Sequence, residues 1–201
     1  MASPNQCRLF LALQPPDQVR QELANVQLEL REALSASTTR WTPPDQFHLT
    51  LKFLGNVPVE RLDELQIALR QALTGTVSFD LTASGMGFFP NIHRPHVIWT
   101  GVTSAASELE CLFQAAQQGC RSFSNEPDQE TFVGHITLGR IKMLKRQEAA
   151  ALKQIASTRK ETNFGHWVVR SVDIMRSELS SQGAVHKLLA SIDLETQQAS
   201  R

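Results

Sequence analysis

HLTLKFLG at His48–Gly55 and HITLGR at His135–Arg140 place the same tetrapeptide, histidine-apolar-threonine-leucine, at two points of one chain. In a strand, residues i and i+2 share a face. His48 and Thr50 therefore point one way, and Leu49 and Leu51 point the other way into a core. The second copy repeats this, with His135 and Thr137 on one face and Ile136 and Leu138 on the other. A strand needs alternating apolar residues but has no need of histidine and threonine at the same two slots. If the two strands face each other, two imidazoles and two hydroxyls line one cleft.

The surrounding elements repeat as well. An apolar run at Arg8–Leu13 ends at Pro15-Pro16, and Asp17 can cap a helix to Leu34 with Val19, Leu23, Val26 and Leu30 at helical spacing. Thr42-Pro43-Pro44-Asp45 breaks the chain before the first motif, and a helix to about Leu73 follows it. Strands are expected at Thr76–Ala83 and Val97–Val102, joined by a turn-rich stretch Ser84–Pro95, then a helix at about Ala105–Ser122. The second motif strand, Thr131–Gly139, is followed by a helix at about Lys145–Ser157 and by strands near Trp167–Ser177 and Val185–Ile192. A motif strand, a helix and two strands thus occur twice. The expected fold is α+β: two similar lobes of antiparallel sheet backed by helices, related by a pseudo-two-fold axis, with the motif strands lining a central cleft. Residues 7–194 form one such domain, with tails at 1–6 and 195–201.

Composition narrows the function. The 201 residues carry 20 Lys plus Arg against 20 Asp plus Glu, a formal net charge of zero. A protein that grips long nucleic acid by neutralising phosphates is usually basic, so any nucleic acid handled here is an end or a small piece. The three cysteines, Cys7, Cys111 and Cys120, fit no Cys-x-x-Cys spacing and read as free thiols in a reducing compartment. With no secretory leader pattern and no apolar run of membrane-spanning length, the expectation is a cytoplasmic protein with no membrane association. Phosphate-binding glycine loops, a dinucleotide fingerprint and a nucleophile-elbow motif are all missing, and the chain has no tyrosine.

Two histidines, one neutral and one protonated, can act as general base and general acid on opposite sides of a reacting centre. Two threonine hydroxyls can donate hydrogen bonds to phosphate oxygens. In-line attack at phosphorus needs base and acid on opposite sides, which a two-fold arrangement supplies. The chemistry this set suits is phosphodiester cleavage. A zinc site needs three or four ligands, and neither motif contains Asp, Glu or Cys, so no metal is expected.

RLFLALQPP at Arg8–Pro16, RWTPPDQFHLTLKFLGNVP at Arg40–Pro58, HVIWTGV at His96–Val102 and HITLGR together resemble the two-histidine (2H) phosphoesterases. The nearest branch is the bacterial and archaeal RNA 2′,3′-cyclic phosphodiesterases, first described as 2′-5′ RNA ligases, and the resemblance runs from about residue 8 to about 193. It implies hydrolysis of RNA 2′,3′-cyclic phosphate ends to 2′-phosphomonoesters, with reverse 2′-5′ ligation in many members and neither metal nor nucleotide cofactor. It makes His48 the proton donor, His135 the proton acceptor, and Thr50 and Thr137 the phosphate ligands. The partners implied are RNA 3′ ends or short oligonucleotides, and no obligatory protein partner is evident. Two alternatives stay open: a phosphodiesterase acting on another small diester, such as a 2′-5′ oligonucleotide or cyclic nucleotide, and a non-catalytic RNA-end binding module.

Other candidates surround the four motif residues. Lys52 shares parity with His48 and Thr50, which puts it either in the cleft or at a solvated strand end. Arg140 has the wrong parity relative to His135, but a kink at Gly139 could turn it inward, and it matches an arginine that follows the second motif in the family. Phe53, Phe132 and Trp41 are able to stack on a terminal base, although core packing is the commoner fate of such residues. His93 and His96 read as surface residues near the rim. His166 and His186 carry no motif and receive no role.

Overall fold

The computed structural model describes residues 5–124, 126–128, 131–180 and 183–196. Its strands are β1 (Gln6–Leu13), β2 (Thr38–Trp41), β3 (Leu49–Pro58), β4 (Phe79–Phe89), β5 (Val97–Ser104), β6 (His135–Met143), β7 (Asn163–Val169), β8 (Ser171–Ser180) and β9 (Gly183–Asp193). The helices are α1 (Asp17–Ala33), α2 (Leu62–Ala72), α3 (Glu108–Gly119) and α4 (Ala149–Thr158). The expected α+β class holds. Among the described residues the strands make one nine-stranded sheet in the order β7-β4-β5-β6-β3-β1-β8-β9, with β2 added beside β6.

That order is symmetric about its centre. β3 and β6, the two motif strands, meet through the pair Leu49↔Ile136. Outward from β3 come β1, β8 and β9, and outward from β6 come β5, β4 and β7, every named pair antiparallel. The halves are not consecutive in sequence. The strand after α2, β4, crosses to pair with β5, while β8 and β9 return from the far end of the chain to lie beside β1. Helices pack in pairs that also join the halves, α1 with α4 and α2 with α3.

The faces of the sheet are divided by alternation. On β1, Leu9, Leu11 and Leu13 enter the main core with Leu23 and Leu30 of α1, Leu65 and Leu69 of α2, and Leu112 and Phe113 of α3. The intervening Phe10 and Ala12 join Met175 of β8 in a separate small cluster on the opposite face. The helices therefore cover one face, and the other is left to line a cleft. No helix among the described residues is long and apolar enough to cross a membrane. Cys7, Cys111 and Cys120 are all free thiols.

Four boundaries differ from the sequence reading. β4 runs through Phe89, so Ser84–Phe89 is strand rather than turn-rich loop; Gly85, at φ +65°, sits in a bulge between Ser84 and Met86 and lets the strand continue past a glycine-rich stretch. β2 was not expected, because four residues between a helix and a Pro-Pro pair carry little pattern. The second motif strand begins at His135 rather than Thr131. The strand expected near Trp167–Ser177 is two, β7 and β8, parted at Arg170.

Candidate active site

Antiparallel pairing at Leu49↔Ile136 fixes the relation of the two motifs. Thr50 and His135 lie on one side of that pair, and His48, just before β3, and Thr137 lie on the other. Local two-fold symmetry thus passes between the motifs, and the two His-Thr sets lie side by side at the centre of the sheet. All four line a cavity of about 590 Å³ on the face away from the helices.

The two imidazoles are held in the same way. His48 Nδ1 lies 2.8 Å from the Gln46 carbonyl oxygen, and His135 Nδ1 lies 2.8 Å from the Val133 carbonyl oxygen. A carbonyl oxygen only accepts, so Nδ1 of each ring donates and Nε2 of each is left for chemistry. Gly134 allows the second arrangement: a Cβ there would stand 2.4 Å from the Val102 carbonyl oxygen, which itself lies beside the Val102 N–H to Gly134 O hydrogen bond. Each histidine also rests on aromatic rings. His48 packs on Phe10 with centroids 4.9 Å apart, and His135 stands edge-on to Phe89 at 5.0 Å and beside Trp99 at 5.9 Å.

Burial against these rings lowers both imidazoles. His48 is pushed down to about 4, first by burial and then by the neighbouring His186, His135 and Arg140, against the opposing pull of the Gln46 carbonyl. His135 is lowered from its ordinary value by burial and by Arg140. The threonine hydroxyls have no protein partner among the described residues, so both are available to a bound anion.

A bulge in each motif strand decides where the flanking residues go. Against β1, Thr50 pairs with Ala12 and Lys52 pairs with Leu11, leaving Leu51 as an extra residue. Against β5, Thr137 pairs with Trp99 and Gly139 pairs with Ile98, leaving Leu138 extra. One extra residue reverses the alternation beyond it. Phe53 and Arg140, each three positions past its threonine, therefore both line the cavity. Gln27 of α1 secures the second bulge, donating from Nε2 to the Leu138 and Thr42 carbonyl oxygens at 2.8 and 2.7 Å.

Lys52 is the correction that follows. Its parity placed it with His48 and Thr50, but the bulge at Leu51 turns it to the helix side, where it is 1% exposed. There its ammonium donates to Asp128 Oδ1 at 2.9 Å and to the Pro127 carbonyl at 3.1 Å, and it does not line the cavity. Phe53 is 45% exposed on the cleft wall. Phe132 lines the cavity while stacking on Phe113 of α3 at 4.3 Å. Trp41 also lines it, packed against the core. His93 and His96 are exposed and lie outside the lining.

The structure adds a residue that carries no motif. His186 of β9 enters the cavity, edge-on to Phe10 at 4.8 Å and to His48 at 5.3 Å. Nothing in its local sequence marks it, since it reaches the cleft only because β8 and β9 fold back beside β1. Arg8, Arg40 and Ser177 are further lining residues not foreseen. Among the described residues, no group of three or more His, Cys, Asp or Glu side chains is arranged to hold a metal ion.

Residues 13–99, which include the first motif, match the family described as LigT like Phosphoesterase. The RNA 2′,3′-cyclic phosphodiesterase of Thermus thermophilus is 31% identical over 195 residues, covering 93% of this chain and 90% of its own. The chain belongs to the LigT-like phosphoesterase family. A second relative in that family, the RNA 2′,3′-cyclic phosphodiesterase of Archaeoglobus fulgidus, is 28% identical over 180 residues, 90% of this chain and 96% of its own. Among solved structures, a Thermus thermophilus protein superposes with a TM-score of 0.76 at 28% identity, covering 95% of this chain and all of that one. LigT of E. coli in complex with 3′-AMP gives 0.73 at 21% identity over 94% and 98% of the two chains, a likeness of fold.

Proposed function

We propose that this LigT-like phosphoesterase hydrolyses 2′,3′-cyclic phosphate ends of RNA to 2′-phosphomonoesters by paired-histidine acid–base catalysis. The observation that carries the reading is the Leu49↔Ile136 pairing, which sets two His-Thr pairs about one local two-fold axis. The cyclic phosphate lies between them, with its non-bridging oxygens accepting from the Thr50 and Thr137 hydroxyls. Nε2 of His135 takes a proton from water as its oxygen attacks phosphorus. The bond from phosphorus to the 3′ oxygen breaks on the opposite side, and that oxygen takes the proton from Nε2 of His48. No part of this sequence of events is assigned to a metal or nucleotide cofactor.

His48 must be charged to serve as the acid, yet burial pushes it down to about 4. The phosphate anion supplies the missing counter-charge, favouring the imidazolium as substrate binds. With a 5′-hydroxyl attacking in place of water, in the same direction and with the 3′ oxygen again leaving, the same geometry joins a 2′-5′ linkage. The names of the relatives, each an RNA 2′,3′-cyclic phosphodiesterase, support the choice of substrate.

The test is direct. Protein in chelator is incubated with oligonucleotides ending in 2′,3′-cyclic phosphate, and the monoester formed is identified. A 2′-phosphate product is expected, and His48→Ala and His135→Ala should each lower turnover by roughly 10²–10⁴-fold. A 3′-phosphate product would reverse the donor and acceptor, and near-normal turnover in either variant would sink the mechanism.

A further inference from the structure

Resting on the activity proposed above, we infer that Arg8, Ser177 and His186 form a second anion site, on the His48 side of the cleft, which takes the phosphodiester on the 5′ side of the terminal nucleotide. The observation is a row of polar side chains across three neighbouring strands. Ser177 of β8 and His186 of β9 are direct antiparallel partners. Arg8 lies two residues from Phe10 on β1, and Ser177 lies two residues from Met175, the β8 partner of Phe10. Arg8, Ser177 and His186 all line the cavity. Among the described residues none of these three side chains has a hydrogen-bond or ion-pair partner. The alternate residues of β8 and β9 behave differently, since Arg176 and Lys187 both pair with Glu178, at 3.3 and 2.8 Å. Charge is thus neutralised on one face of these strands and left open on the other. No Asp or Glu among the described residues lines the cavity to close it.

These groups suit an anion. The Arg8 guanidinium can donate two parallel hydrogen bonds to phosphate oxygens, and the Ser177 hydroxyl can donate another. Nδ1 of His186 is buried without a hydrogen-bond partner, in a ring set edge-on to Phe10 and His48. Nε2 is the nitrogen left for a ligand, and with the ring proton there it is a further donor. β1 and β9 flank β8 at one strand spacing each, about 4.8 Å, so an anion over Ser177 is within reach from both sides.

The reaction supplies the direction. His48 gives its proton to the 3′ oxygen, so the ribose that carries this oxygen lies on the His48 side of phosphorus. That ribose continues through C4′ and C5′ to the upstream phosphodiester, the second anion of an RNA end. His48 precedes β3, whose outer neighbours are β1, β8 and β9, and His186 stands against it. His186 acts on His48 but not on His135, and Arg8, at the other end of the row, influences neither. The row thus starts beside the acid and leads away from the reacting phosphate. The upstream strand leaves over β1, β8 and β9, and the preferred substrate is an oligonucleotide rather than a nucleoside cyclic phosphate.

The experiment compares kcat/KM for a nucleoside 2′,3′-cyclic phosphate, for a dinucleotide with the same cyclic end, and for that dinucleotide with an uncharged methylphosphonate link. The quantity read is the ratio of dinucleotide to mononucleoside, which is independent of the folded fraction of each variant. The native protein should prefer the dinucleotide, and the methylphosphonate should erase that preference. Arg8→Ala should lower the ratio by on the order of 10-fold, the loss expected for a hydrogen bond to a charged group, and Arg8→Lys should restore part of it. Ser177→Ala should lower the ratio by less, and Arg40→Ala, across the cleft on β2, should leave it as it is. A native protein without the preference, a ratio unchanged by Arg8→Ala, a ratio lowered by Arg40→Ala instead, or a preference that survives in the methylphosphonate overturns the second site while leaving the proposed hydrolysis standing. If the native protein cleaves none of the three, the proposed hydrolysis falls first and the second site with it.

Discussion

The imidazole of His186 stands perpendicular to that of His48, with ring centroids 5.3 Å apart. A histidine from the last strand of the sheet is thereby coupled to one from the first motif, with Phe10 against both. Burial lowers His186 as well, so at neutral pH both rings favour the neutral form.

The pH dependence of kcat/KM should report this. In the free protein the acid must hold a proton that burial, His186, His135 and Arg140 all oppose. The basic limb of the kcat/KM profile should therefore fall below 6.5, the ordinary imidazole value, whereas the limb in kcat should lie higher because bound phosphate favours the charged form. His186→Phe keeps the ring contact with Phe10 and removes the second positive charge, so the kcat/KM limb should move to higher pH. A limb that stays in place in this variant would show that His186 does not act on His48.

Stability should follow the same group. Unfolded, His48 binds a proton near 6.5; folded, it does so only at about 4. Between those values the unfolded chain holds more protons, so the contribution of His48 to stability is present above 6.5 and lost as pH falls toward 4. His48→Ala should flatten the decline of Tm between pH 6.5 and 4, measured by calorimetry at several pH values. An equally steep decline in the variant would contradict the burial of this imidazole.

Thr50→Val and Thr137→Val keep the branched shape and remove the hydroxyl. Each should leave Tm close to native and lower kcat by roughly 10- to 100-fold, as expected for a lost hydrogen bond to an anion. Because the two hold equivalent positions in the two motifs, neither should matter far more than the other. A large effect confined to one would show that the phosphate sits off the local two-fold axis.

Lys52→Met tests the corrected position of that lysine. Its ammonium ties β3 to residues 127 and 128, ahead of the segment that carries His135, and with Arg121 it holds the Asp128 carboxylate below the ordinary range. The variant should lose several degrees of Tm and be cut faster by protease near 126–128, with KM for cyclic phosphate little changed. A rise in KM with native Tm would instead mean that Lys52 reaches substrate.

The motif residues were legible because histidine and threonine two apart need only strand alternation to share a face, and both strands supply it. Alternation misled one residue beyond. A bulge is a property of a pair of strands, two residues set against one, so nothing in LTLK announces that Leu51 is the extra residue and that Lys52 turns away. The same event at Leu138 brought Arg140 inward, where parity counted against it; Gly139 drew attention to the right neighbourhood, one residue late. His186 was invisible for another reason. Its partners Phe10 and His48 lie more than a hundred residues away, and only the return of β8 and β9 to the edge of β1 joins them.

That return has a consequence for how the chain can be divided. Glu195 N donates to Thr76 O and Ser78 N donates to Glu195 O, while Gly75 N donates to the Glu195 carboxylate. The last described residues are thus laced to the linker that carries the chain from α2 into β4. A cut there would leave a leading fragment with β1 to β3 but without β8 and β9, and a trailing fragment holding those two strands with no β1 to receive them. The duplicated tetrapeptide marks no seam: neither fragment is a module that could be lifted out, and only the two recombined would rebuild the sheet.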